Sequence, residues 1–152
     1  MALDQSFVGR SYPPTEPYEV GREKIREFAV AIGDTHPAYT DQEAAKALGH
    51  PDVIAPPTFV FAVSFDAAQT VVADPALGLD YSRVVHGDQR FTYTRPVRAG
   101  DRLTVTSTID SITSRAGNEM IDIRGEVHDV SGEHVVTVVT KLVARRVEEE
   151  AA

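Results

Sequence analysis

The chain has 152 residues, 42% of them hydrophobic, enough to bury one core and too few for two ordinary domains, so a single domain over 1–152 is expected. With 23 acidic residues against 15 basic ones the net charge is -8, which speaks against a surface built to neutralise nucleic-acid phosphates. The absence of cysteine excludes disulfides and thiolate metal sites, and no stretch approaches the ~18 apolar residues that cross a bilayer, so no membrane partner is expected.

Met1 to Tyr12 lacks a basic stretch followed by an apolar run, so a cytoplasmic protein is the expectation. Tyr12, Pro13, Pro14 and Pro17 read as an extended lead-in, because each proline fixes φ and pushes its predecessor towards extended geometry. A short strand near Tyr18 to Val20 can join a sheet. From Arg22 to Ile32, Ile25, Phe28, Ala29 and Ile32 recur at helical spacing while charged residues fill the other face, which predicts an amphipathic helix ended near Gly33. Gly33 to Tyr39 is a loop by its Gly, Asp and Pro content, and Thr40 or Asp41 can cap a short helix running to Leu48. Pro57 to Val72 is apolar on nearly all sides, and Pro57 suits a first helical turn, so a buried helix is predicted there.

The second half is β-rich. Strands are predicted over Val84 to Thr94, Arg102 to Ile112, Met120 to Val130 and His134 to Arg145, with turns at Arg98-Ala-Gly-Asp, Arg115-Ala-Gly-Asn and Val130-Ser-Gly-Glu. The last three form an antiparallel meander, and a tail from about residue 147 is expected to fray. One long apolar helix followed by long antiparallel strands is an α+β plan in which the sheet curls around the helix, the hot-dog fold.

Phe28-Ala-Val-Ala-Ile-Gly-Asp-Thr-His-Pro-Ala-Tyr-Thr-Asp resembles the hydratase signature of MaoC-like (3R)-hydroxyacyl-thioester dehydratases, and Arg95-Pro-Val-Arg-Ala-Gly-Asp-Arg-Leu resembles their strand and turn. The likeness runs from about Phe7 to Ala144 and is nearest to the short N-terminal-type members, including the non-catalytic subunit of the heterodimeric dehydratase of mycolic acid elongation. Catalytic members carry Gly-Asp-x-Asn-Pro-x-His, whose Asp and His form a dyad that moves protons as water is added or lost. Asp34 matches the Asp, but Tyr39 stands where the His belongs, and a phenol of ordinary pKa ~10 is a poor base at neutral pH. Catalytic relatives also start their buried helix with Ala-His-Gly, whose glycine NH polarises the thioester carbonyl. This chain has Ala55-Pro56-Pro57, and proline has no NH to give, a loss typically of ~3 kcal/mol of transition-state stabilisation that Thr58 can offset in part through its own NH.

The resemblance therefore implies an acyl-thioester-binding chain with an incomplete dyad. Asp34, Tyr39 and His86 are the candidate catalytic residues, His86 because Val85-His-Gly-Asp-Gln resembles a His-Gly-x-Gln strand of this subgroup and can meet Asp34 across a dimer. Pro57, Thr58, Phe59, Phe61, Phe65 and Gln89 are the candidate substrate-binding residues, the phenylalanines walling an apolar acyl tunnel. Each has a plainer reading: Asp34 as a turn residue, His36 as a loop residue, His86 as a satisfied strand histidine, the phenylalanines as core. Arg83, Arg90, Arg95, Arg98 and Arg102 can meet the phosphates of coenzyme A or an acidic acyl carrier protein, or form a solvated strand face. His128 and His134 have no metal spacing, and neither a metal nor a cofactor is expected. The implied ligand is acyl-CoA or acyl-ACP. The implied partner is a catalytic MaoC-like subunit, with two alternatives: a self-sufficient homodimeric enoyl-thioester hydratase or dehydratase with an altered site, and a non-enzymatic acyl-binding module.

Overall fold

The computed structural model describes residues 3–145, so the tail expected to fray from about residue 147 lies outside the described residues. The main elements are β1 (Tyr18–Glu19), α1 (Arg22–Ala31), α2 (Gln42–Ala47), α3 (Phe59–Val72), β2 (Val84–Tyr93), β3 (Arg102–Arg115), β4 (Asn118–Asp129) and β5 (His134–Arg145). The strands form one antiparallel sheet in the order β1-β3-β4-β5-β2, and α3 packs on its inner face in the hot-dog arrangement.

Alternation decides which face is buried. Leu103, Val105 and Ile109 of β3, Ile121, Ile123 and Val127 of β4, and Val136, Val138 and Leu142 of β5 point inward, while intervening positions carry Thr, Asp, Arg and Lys. α3 contributes Phe59, Val60, Val63, Ala67, Val71 and Val72 to that core. α1 lays Ile25 and Ala29 against it, and Phe28 meets Phe59 edge-on at 5.4 Å between ring centres. The carboxylate of Asp41 caps α2 by accepting the NH groups of Glu43 and Ala44.

Three predicted boundaries move by two residues or more. α3 begins at Phe59 rather than at Pro57, because the Pro57 carbonyl accepts the Tyr93 hydroxyl at 2.5 Å and Phe61 NH turns instead to Thr58 O at 3.1 Å. β3 and β4 run closer together than predicted, to Arg115 and from Asn118, because Ala116 (φ 49) and Gly117 (φ 75) make a two-residue turn whose twist suits the strands.

The sheet's two edges differ. The lead-in runs beside β3, with Gly9, Tyr12 and Thr15 donating their NH groups to Ile109, Ser107 and Val105 O at 2.8, 2.9 and 3.0 Å. β1 continues that cover by pairing with Arg102 and Leu103. β2 pairs only with β5, and among the described residues no strand lies beyond it.

Candidate functional site

The loop after α1 folds on itself. Gly33 turns with φ +73, Asp34 Oδ1 accepts the His36 NH at 3.3 Å, and His36 Nδ1 accepts the Ala38 NH at 3.1 Å, which starts a single helical turn over Pro37–Tyr39. Ala38 O accepts the Ile54 NH at 3.1 Å and ties the loop to the segment before α3. Tyr39 is thereby brought beside Asp34. Burial raises the Tyr39 phenol above its ordinary pKa, and the charge of Asp34 together with its hydrogen bond raises it further.

Tyr39 lines a cavity of about 260 Å³ at the start of α3, with Ala55, Pro57, Tyr93 and Arg95 in its walls. Burial pushes the Tyr93 phenol far up, so both phenols here stay protonated. Arg95 is not available to a ligand phosphate: its guanidinium donates to both oxygens of Asp101 at 2.9 and 3.0 Å and to Glu133 at 3.0 Å. This cavity holds protonated phenols and occupied carbonyls, and neither Pro56 nor Pro57 supplies an NH.

A second cavity, of about 100 Å³, lies between the middle of α3 and the first half of β2, lined by Phe61, Ser64, Phe65, Tyr81, His86 and Thr140 among others. His86 stacks on Phe61 with ring centres 5.5 Å apart and planes 13° from parallel, and Phe61 touches Phe65 at 5.8 Å. A β-bulge at Gly87 breaks the pairing between His86 and Asp88, and the His86 Nε2–H donates to Asp88 O at 3.1 Å. Any Cβ at position 87 would lie 2.9 Å from Val143 Cγ2, so a side chain there would have to displace Val143.

Of the sequence candidates, Tyr39 and Pro57 line the first cavity, Asp34 reaches it only through its hydrogen bond with Tyr39, and Thr58 stands at the N-cap position of α3 without a side-chain capping bond. His86, Phe61 and Phe65 meet at the second, and the two cavities share no lining residue. Phe59 lies in the core, 1% exposed, and lines neither. Gln89 sits behind the second cavity, donating Nε2–H to Val139 O at 3.2 Å and accepting the Thr140 hydroxyl at 3.0 Å. The arginines do not form one patch, since Arg95 is turned inward and Arg83, Arg90 and Arg98 lie beside Asp80, Asp88 and Asp101. Thr140, Ser64, Tyr81 and Tyr93 escaped sequence reasoning. Thr140 carried a signal: it is a polar residue on the inward register between Val138 and Leu142. Among the described residues no group of three or more metal-type ligands comes together, and no helix is long and apolar enough to cross a membrane.

Comparison with known proteins agrees with this architecture. Residues 6–138 match the FAS1-like, dehydratase domain region. A UPF0336 protein of Streptomyces avermitilis is 79% identical over 149 residues, covering 98% of this chain and 99% of its own. Among solved structures, a chain of the HadBC (3R-hydroxyacyl-ACP dehydratase) complex of Mycobacterium tuberculosis is 34% identical with a TM-score of 0.81, over 91% of this chain and 97% of that one. A MaoC-like dehydratase is 33% identical with a TM-score of 0.87, over 93% of this chain and 43% of that one. A wrapped central helix, a hydratase-like loop and these matches together place the chain in the FAS1-like dehydratase-region family with the UPF0336 proteins, on the MaoC-like hot-dog fold.

Proposed function

We propose that this chain is the acyl-thioester-binding subunit of a (3R)-hydroxyacyl-ACP or -CoA dehydratase and works with a catalytic hot-dog partner. One observation carries the reading. At the position of the dyad histidine stands Tyr39, whose phenol is raised by burial and by Asp34, so it cannot take a proton from substrate C2 near neutral pH. Pro57 in the wall of the cavity beside it, and Pro56 before it, have no NH to steady an enolate oxygen. The structural relative from Mycobacterium tuberculosis is itself part of a two-component dehydratase complex, which supports a split arrangement.

The open edge of β2 is the natural place for the partner. His86 lies near one end of β2 and Tyr93 at the other, so a strand added antiparallel would bring the partner's dyad loop towards this chain's His86 groove. The test is hydration of trans-2-enoyl thioesters by the purified chain, alone and with a chain bearing Gly-Asp-x-Asn-Pro-x-His. Turnover only in the mixture is expected; turnover by the chain alone would overturn the reading.

The same edge favours one other arrangement, a homodimer in which one copy's His86 faces the other copy's Asp34. Its signature would be activity without a partner, lost in Asp34→Asn and in His86→Phe alike.

A further inference from the structure

In the depth of the His86 groove the polar atoms are acceptors, and the donors with hydrogens to spare, the Gln69 amide and the Tyr81 hydroxyl, sit at its rim. Ser64 and Thr140, 6% and 8% exposed, face an otherwise apolar space. Both hydroxyl protons are spent inside the protein, Ser64 on Phe61 O at 3.2 Å and Thr140 on Gln89 Oε1 at 3.0 Å. Gln89 is held for that task by its own bond to Val139 O. At the rim Gln69 Nε2–H leans on the Tyr81 hydroxyl at 3.4 Å, and Tyr81, 54% exposed, is the one hydroxyl there with a proton to spare.

His86 completes the pattern. A carbonyl can only accept, so the 3.1 Å contact with Asp88 O fixes the hydrogen on Nε2. In the neutral ring Nδ1 then carries a lone pair, and among the described residues it has no hydrogen-bond partner. The Gly87 bulge and the Phe61 stack hold the ring in this pose. A chain without donors laid here would strip water from these acceptors and return nothing, whereas a hydroxyl would restore a bond.

We propose that the groove between α3 and β2 discriminates for a hydroxylated aliphatic chain, with His86 Nδ1 accepting the hydrogen bond from the chain's 3-hydroxyl. The inference rests on the acyl-binding reading above and adds the residue that sets its preference. A cavity of about 100 Å³ suits a short hydroxyl-bearing segment, and the remainder of a longer chain would lie outside it or in a partner. In a dehydratase this preference favours the hydroxyacyl substrate over the enoyl product and so helps product leave.

Calorimetric titration of the full chain with coenzyme A thioesters of one chain length, 3-hydroxyacyl, trans-2-enoyl and saturated, tests it. The hydroxy form should bind about 3- to 10-fold more tightly than the other two. His86→Phe keeps a flat ring against Phe61 and removes both nitrogens, and should bring the three affinities together. Equal affinities in the native protein, or a preference that survives His86→Phe, would overturn the role of His86 while leaving acyl binding intact. No binding of any thioester would remove the acyl-binding reading and this inference with it.

Discussion

Tyr39 and Tyr93 face one cavity, and each carries a proton it will not surrender near neutral pH. Restoring histidine at position 39 alone should therefore not create an enzyme. Tyr39→His is expected to leave enoyl-thioester hydration by the isolated chain at background, because Pro56 and Pro57 still offer no NH to the thioester oxygen. Tyr93→Phe probes the other phenol: losing its bond to Pro57 O should lower stability by about 1 kcal/mol in urea titrations. The roles of single residues were partly legible in the sequence. Asp34 and Tyr39 stand five apart in a loop, so their meeting follows from local geometry. His86 and Phe61 meet only because the sheet wraps the helix, and no local pattern announces that. Nor could an all-round apolar helix tell which phenylalanine faces where; the structure sends Phe59 inward and leaves Phe65 at 41% exposure.

At the scale of elements, the β4–β5 hairpin is fastened to the loop after β2 by carboxylates. Asp129 accepts the Ser131 hydroxyl and the NH groups of Ser131 and Glu133, and Arg95 reaches it at 3.4 Å. These contacts, the Ser131 bonds foremost, lower its pKa from 3.8 to about 2. A carboxylate lowered on folding contributes stability that is complete above 3.8 and lost as pH falls through about 2. Asp129→Asn should therefore flatten the fall of the urea midpoint across that window and leave its shape above it unchanged. Arg95 is 12% exposed against Asp101 at 6%, and Arg95→Met would take away both guanidinium bonds and leave that buried carboxylate only Arg98 beside it, costing about 3 kcal/mol. Strands were readable from alternation, as at Leu103 and Val105, but their ends were not, because the positive φ of Ala116 belongs to a tight turn rather than to either strand's pattern. The bulge at Gly87 was equally silent. Gly87→Ala should cost about 1–3 kcal/mol by thermal melting, with relief when Val143 is also cut to Ala.

For the whole molecule, the unequal edges of the sheet carry the argument. The lead-in covers β3 from Gly9 to Glu19, yet β2 presents ten residues with no strand beyond among the described residues, beside half-exposed Phe65, Tyr81 and Val85. Light scattering after size exclusion should accordingly give a mass about twice 16.5 kDa, for the chain alone or mixed with a dyad-bearing partner. A monomer under both conditions would leave that edge unexplained. The overall plan was legible in composition and periodicity, a buried helix and then a meander. The place of β2 was not, since it pairs with the last strand and not with the next.

That pairing also sets when the fold can close. β5 is the last of the described strands in chain order, and it is the one that lies between β4 and β2. Until it emerges, β2 lacks its one neighbour among the described strands and the apolar flank of α3 has only part of its cover, so the nascent chain must carry Phe59, Val63 and Val71 incompletely shielded from the completion of α3 until β5 is made. A chain cut before His134 should therefore be held by chaperones or degraded rather than accumulate as a smaller domain.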